Sequence, residues 1–446
     1  MNRKILIAAI MIILLLLVSS TVYYFTRPER IQRSQYTIEY FTGSSESTPN
    51  AIAVDSSGNV WFALMNNSAI GELNPSTGSI KEFRLPIANK SITTWGLVID
   101  NQRKLVWFTE QVTNSIWSFN MTDHKFTQYH LETLGALPFG ITLDDQGNVW
   151  FTEFFGDKIG EITTSGALSE IPIPVSGYLE ASAIIAAPSG KIWFTIPGVN
   201  STASYFHDKF EIQNLTGLVN VPVGIAIDSS GNLWLTQHGP SFISEFNPTT
   251  RYFKTISTSI PPLGTSLPYF TYVNQNGDVW FNEHYGNAMA EFIPSTNTLI
   301  EYFIPTRVEY AGNISGMLTS TLSPTGEPWY TEFFSGMVGT INITKSLDIG
   351  LQLSNYSRSL VIGNGSQTSL DLAISGSAAK SVNLSGSVGN FTGNFVFDFS
   401  RISGNNTSLL TIHNNDSRPG VYFLTITAHT SALAVSKIIE VEVPKS

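Results

Sequence analysis

Cysteine is absent from all 446 residues, which excludes disulfides, zinc–cysteine sites, iron–sulfur clusters and thiol nucleophiles. Charge is scarce too: 13% of the residues are charged, where about 25% is usual for soluble proteins. Lys and Arg number 24 against 34 Asp and Glu, a balance that argues against a nucleic-acid partner. The chain has no Gly-rich phosphate loop, no His-Glu-x-x-His and no Gly-x-Ser-x-Gly, so the commonest nucleotide, zinc-protease and serine-hydrolase signatures are missing. Disorder is excluded from the other side, because 42% of the chain is hydrophobic.

What is present begins with an export signal. Arg3 and Lys4 precede an uncharged run from Ile5 to Phe25, long enough to cross a bilayer as a helix. The expectation is a cytoplasmic n-region at 1–4, a transmembrane signal-anchor at 5–25 and a linker at 26–34. The rest of the chain would then lie outside the cytoplasm of a single-pass membrane protein, with a cleaved signal peptide as the alternative. Asn-x-Ser/Thr sequons at Asn66, Asn89, Asn120, Asn200, Asn214, Asn313, Asn342, Asn355, Asn364, Asn383, Asn390, Asn405, Asn406 and Asn415 are glycosylation candidates. A bare polar surface explains them equally well.

Seven tryptophans recur in one setting: Trp61, Trp107, Trp150, Trp193, Trp234, Trp280 and Trp329, at spacings of 46, 43, 43, 41, 46 and 49. A period in the forties with several short strands per unit is a propeller signature. In the third repeat, Pro138 to Asp144 reads as an inner strand and Asp145 to Asn148 as a turn. Val149 to Glu153 is the second strand, Ile159 to Ile162 the third and Ala167 to Pro172 the outer fourth. The seventh repeat lacks an outer strand, while Thr37-Ile38-Glu39-Tyr40-Phe41 duplicates the outer strand Leu299-Ile300-Glu301-Tyr302-Phe303 of the sixth. The N-terminal strand is therefore expected to close a seven-bladed ring over 35–345; an open solenoid accounts for neither feature. From 346 to 446 the composition turns to Ser, Gly and Asn with alternating apolar stretches, which predicts a β-sandwich resembling immunoglobulin-like modules.

Blade geometry points to a site. Strands one and two are antiparallel, so the start of one and the end of the other open on the same face. That mouth collects Trp95, Phe139 and Tyr269 from strand one. From strand two it collects Glu110, Glu153, Gln237, Glu283 and Glu332, followed by His238 and His284. Converging polar groups in an apolar concavity make a candidate ligand site. Each element also has a plainer role: the aromatics as a plug, the glutamates as bonds to backbone amides, the histidines as surface residues.

The run from Leu137-Pro138-Phe139-Gly140 through Gly147-Asn148-Val149-Trp150-Phe151-Thr152-Glu153 to Lys158-Ile159-Gly160-Glu161-Ile162 closely resembles blades of the streptogramin B lyase (virginiamycin B lyase-like) propellers, and the likeness spans residues 35 to 345. The resemblance implies opening of a cyclic depsipeptide ester by β-elimination with magnesium assisting, and histidines in a Pro-His-Gly/Ala-Ile setting. Here those positions hold Phe139, Val223 and Tyr269, so the catalytic assignments do not carry over. Of the residues at hand, His238, His284 and Glu283 are the candidates to replace them. Gluconolactonase-like propellers, a related type, hold a divalent metal on the axis, a role open to Glu110, Glu153, Gln237 and Glu283 if they point inward.

The expectation is thus an all-β protein: a seven-bladed β-propeller closed by an N-terminal strand, then an immunoglobulin-like β-sandwich, behind an N-terminal transmembrane helix. Its funnel is expected to bind a carbohydrate, peptide or surface partner. A C–O lyase or metal-dependent lactonase, with Mg if lyase-like, is the alternative, and a cell-envelope component the third reading.

Overall fold

The computed structural model describes residues 31–43, 47–88, 91–258, 265–308, 316–354, 359–389 and 393–445. Blade three shows the repeating unit: Pro138–Leu143, Val149–Glu153, Lys158–Ile162 and Leu168–Pro172 pair in order, each antiparallel to the next. Blades one, two, four, five and six repeat it. The turn between the first two strands is built by an aspartate. Asp144 accepts the backbone N–H of Gln146 and Asn148, and also takes the indole N–H of Trp150 at 2.9 Å. Asp55 and Asp228 hold Trp61 and Trp234 in the same way. That is why an Asp six residues ahead of the Trp recurs: one carboxylate satisfies both the turn and a buried indole.

Neighbouring blades are joined near the axis. Thr152 donates to the carbonyl of Ser182 in the next blade at 2.6 Å, and Thr195 to that of Val223 at 2.7 Å. Gly140 is needed beneath this bond, since a Cβ there would lie 2.4 Å from the Ser182 carbonyl. The indoles and phenylalanines of strand two fill the spaces between blades, with Phe62, Phe108, Phe151, Phe194 and Phe281 fully buried.

Blade seven takes Ser320–Leu322, Pro328–Glu332 and Met337–Ile341 from the end of the repeats and its outer strand, Thr37–Phe41, from the beginning. Thr37–Phe41 lies antiparallel to Met337–Ile341, with Tyr40 opposite Val338. A fifth strand, Ile31–Arg33, adds to its edge, so those residues belong to the blade and not to a linker. Closing the ring with a strand from the far end of the chain removes two open sheet edges.

Two expectations are corrected. Among the described residues no helix is long and apolar enough to cross a membrane, the helical elements being three-residue turns such as Pro197–Val199. The helix expected at 5–25 lies outside the described residues, so the structure gives no support to a single-pass membrane protein. The C-terminal part is not a separate immunoglobulin-like bead either. One sheet, Gly350–Ser354, Gln367–Ser375, Thr407–Asn414 and Phe395–Phe399, packs on a second in which Leu433–Val443 pairs with Gly420–His429 and the latter with Asn383–Val388. The second sheet runs on into the propeller, because Leu433–Val443 also pairs antiparallel with Thr298–Phe303, the outer strand of blade six. One apolar cluster accordingly holds Trp280, Tyr302 and Tyr330 of the blades together with Leu372, Leu424 and Ile439 of the sandwich.

Candidate functional site: an aromatic mouth over a ring of buried glutamates

The mouth is shaped by irregular backbone. Strand one enters through a proline in blades one, three, five and six, and the residue before it has positive φ: 47° at Thr48, 50° at Leu137, 53° at Val221 and 50° at Leu267. Pro suits the first position of a strand because it has no N–H to leave unpaired. The pairing register then slips between Pro138 and Ile141, Pro222 and Ile225, and Pro268 and Thr271. Such bulges re-aim side chains at the rims of closed sheets, here the side chains of Phe139, Val223 and Tyr269.

The rings meet. Trp95 stacks on Phe139 with centroids 5.2 Å apart and planes 18° apart, and Tyr269 lies 6.0 Å from Trp95. Phe270 joins at 6.3 Å from Phe139, and Phe154 at 5.5 Å. His238 sits 5.0 Å from the ring of Tyr269 and 5.9 Å from His284. Burial lowers the pKa of His238, against the pull of the Pro268 and Leu267 carbonyls. Burial and the neighbouring His238 bring His284 down to about 4. Both imidazoles are uncharged at neutral pH. Below the cluster runs an axial cavity of about 400 Å³, lined by strand one of every blade, among them Ile52, Leu97, Ile141, Ile184, Ile225 and Leu322, and roofed by Trp95 and Phe270.

The acids lie elsewhere. Glu110, Glu153, Gln237, Glu283 and Glu332 are all buried. Glu110 accepts the backbone N–H of Thr93, Val112 and Thr113. Gln237 accepts from the N–H of Asn220 and donates to Ser244. Glu332 accepts from Ser335 at 2.8 Å. Glu283 neighbours Glu301 of the outer strand, and burial pushes it up to about 8. Burial, with the charge of Glu170 second, pushes Glu153 up to about 7. A magnesium ion takes oxygen ligands in a near-octahedral set. Glu110 is already committed to amides, and burial favours the uncharged form of Glu283. Among the described residues no group of three or more His, Asp or Glu is placed to hold a metal. These residues do not fit the ion.

Sequence reasoning thus brings Trp95, Phe139, Tyr269, His238 and His284 to one place and puts the acids in the wall beneath it. It missed Phe154 and Phe270. Phe154 follows Glu153 as His238 follows Gln237, so that register was the signal available; Phe270 carries none. Of the sequons, Asn66, Asn214, Asn364, Asn383, Asn405 and Asn415 are exposed, while Asn120, Asn200, Asn342 and Asn406 are half-buried. Asn89, Asn313, Asn355 and Asn390 lie outside the described residues.

Comparison with known proteins agrees with this architecture. The model of the virginiamycin B lyase family matches residues 36–316, ending before the sandwich. A solved streptogramin B lyase is 25% identical, with a TM-score of 0.61 over 70% of this chain and 99% of its own. Virginiamycin B lyase from Staphylococcus aureus is 22% identical, with a TM-score of 0.60 over 68% of this chain and 98% of its own. A catalytically inactive histidine-to-alanine variant of that enzyme, solved with quinupristin, is 23% identical, with a TM-score of 0.61 over the same shares. No curated protein sequence matches.

Proposed function

Since this chain belongs to the virginiamycin B lyase family, we propose that its mouth binds an uncharged peptide bearing aromatic side chains, cyclic or linear, without magnesium-assisted chemistry. The observation that carries this reading is the stacked pair Trp95 and Phe139 with Tyr269 and Phe270 beside it. Flat rings at an opening offer large contact area at small entropy cost and prefer offset-stacked or edge-on partners. The two imidazoles add hydrogen-bonding capacity without charge. A solved relative that holds quinupristin supports the peptide class.

A second reading, a C–O lyase, is favoured by one observation: two neutral imidazoles 5.9 Å apart at the mouth. Either is competent to take an α-proton. The electron pair of that C–H bond would form the new C=C bond as the ester C–O bond breaks and the carboxylate leaves.

One experiment separates them. Quinupristin is titrated against the protein by tryptophan fluorescence, and the same mixture is followed by chromatography and mass spectrometry. Saturable binding that Trp95→Ala weakens at least tenfold, with the ligand recovered intact, is the expected result. A ring-opened product of unchanged mass that His238→Ala or His284→Ala abolishes would establish elimination; a product one water heavier would mean a lactonase. No binding by the wild type would refute the mouth as a site for this class.

A further inference from the structure

Beside the mouth, where the ring of Phe155 lies 5.0 Å from that of Phe154, the rim of blades two to four holds four large apolar side chains in water. Leu134 is 95% exposed, Tyr178 82%, Phe155 54% and Val112 49%. Together they present on the order of 500 Å² of mostly apolar surface, near the upper end of what a monomer exposes in one patch.

They form one surface because their loops are bonded to each other. Asn114, two residues after Val112, donates to the Thr133 carbonyl at 2.8 Å, beside Leu134. The N–H of Phe155 donates to the Ala136 carbonyl at 3.0 Å, which ties the Leu134 loop to the next turn. That turn is tied to the third loop, since Asp157 accepts the N–H of Leu179 at 3.3 Å and its carbonyl accepts the N–H of Ile173 at 3.0 Å.

The loops are also stiff. Glu170 accepts the N–H groups of Glu132 and Thr133, and Lys158 reaches both Thr133 and Glu170. Under Tyr178 the backbone of Gly198 comes so close that a Cβ there would lie 1.9 Å from the Tyr178 carbonyl. Side chains fixed in water by buttressed loops have little ordering entropy left to lose on docking.

Charge indicates what docks. Glu132 and Asp157 are exposed and Glu180 half-exposed within these three loops. Their one cation, Lys158, is engaged by Glu170 at 3.2 Å. An apolar strip with an unneutralised acidic fringe repels anionic headgroups and attracts basic side chains. We propose that the rim of blades two to four is a protein-docking surface for a polypeptide segment with an apolar centre and basic flanks. It does not depend on the mouth reading, and its test substitutes none of the mouth residues.

The test is selection of a phage-displayed library of random peptides on the intact protein. The affinities of the enriched peptides are then measured by anisotropy on wild type and on the double variant Leu134→Ser, Tyr178→Ser. Both side chains are mostly in water, so the variant keeps its fold; an unchanged unfolding midpoint verifies this. Enrichment of apolar sequences flanked by Lys or Arg, weakened at least tenfold by the double variant and at least threefold by Glu132→Gln, Asp157→Asn, is the expected result. Enriched sequences without basic flanks, or affinities indifferent to Leu134 and Tyr178, overturn it. So does sedimentation with phosphatidylcholine or phosphatidylglycerol vesicles, or self-association in the ultracentrifuge, that the same double variant abolishes.

Discussion

Raising the pH should weaken this protein through a carboxyl pair that, among the described residues, no cation accompanies. Glu283, at the end of the second strand of blade six, and Glu301, on its outer strand, are 1% and 0% exposed and lie close enough for the charge of one to act on the other. Burial raises both, and the charge of Glu283 raises Glu301 further. Glu283 goes from an ordinary 4.5 up to about 8. The unfolded chain releases this proton near 4.5, whereas the folded chain keeps it to about 8. Over that window the folded state binds more protons, so its stability falls as pH rises. The contribution is complete below the unfolded value and is lost as pH climbs through the folded one. Each pH unit inside the window costs about 1.4 kcal/mol per group, so this site alone accounts for a loss on the order of 4 kcal/mol. That is a large part of an ordinary folding free energy of about 5–15 kcal/mol. Glu39 and Glu332 meet in blade seven beside Thr306 and Tyr330, and burial raises Glu39 too, so the effect is repeated where the ring closes. The assay is urea unfolding followed by tryptophan fluorescence at pH 5, 6, 7 and 8, on wild type and on Glu283→Gln, Glu301→Gln. Wild type should lose stability steadily across the series. The double amide variant should run flatter, gaining on wild type by a few kcal/mol between the ends. Parallel profiles would refute the reasoning.

Three further outcomes follow from the same geometry. Thr152→Val removes the donor to Ser182 and the acceptor for the Gly140 N–H at 2.9 Å, leaving both buried groups unpaired; it should cost about 2 kcal/mol in urea unfolding. His284 should titrate in NMR with a midpoint near 4, because burial and His238 oppose its charge; a midpoint above 6 would mean that water reaches it freely. Tyr40→Pro removes a backbone N–H from the strand paired with Met337–Ile341; it should lower the thermal midpoint by more than the same substitution at exposed Tyr178, since only the former opens the ring.

Much of the fold was legible because it is local and repeated. The Trp of every repeat serves the interblade core, and the Asp, Gly and Thr that recur in several of them serve the turn, the blade contact and the interblade hydrogen bond, so spacing alone located the strands. The closing strand was legible from its likeness to Leu299–Phe303. The mouth was half legible: strand polarity puts Trp95, Phe139, Tyr269, His238 and His284 on one face whatever their rotamers. Where Glu110, Glu153 and Glu283 point was not, because a carboxylate at a strand end can turn to the axis or to the blade interior. Backbone amides near Glu110 and the facing Glu301 settled it. Phe270 was hidden because a bulge, not alternation, brings it beside Phe139.

The sequence by itself determined a ring of seven antiparallel blades, its closure by residues near position 40 and the face on which any site must open, since all three follow from periodicity and strand direction. Only the tertiary structure decided that the glutamates are buried in the blades and that the histidines are uncharged, because these depend on burial and on neighbours the fold brings close, Glu301 beside Glu283 and His238 of the adjoining blade beside His284. It also decided that the sandwich shares a sheet with blade six. Edge pairing between Thr298–Phe303 and Leu433–Val443 uses backbone groups that every residue carries, and so leaves no mark in the side chains that a sequence displays.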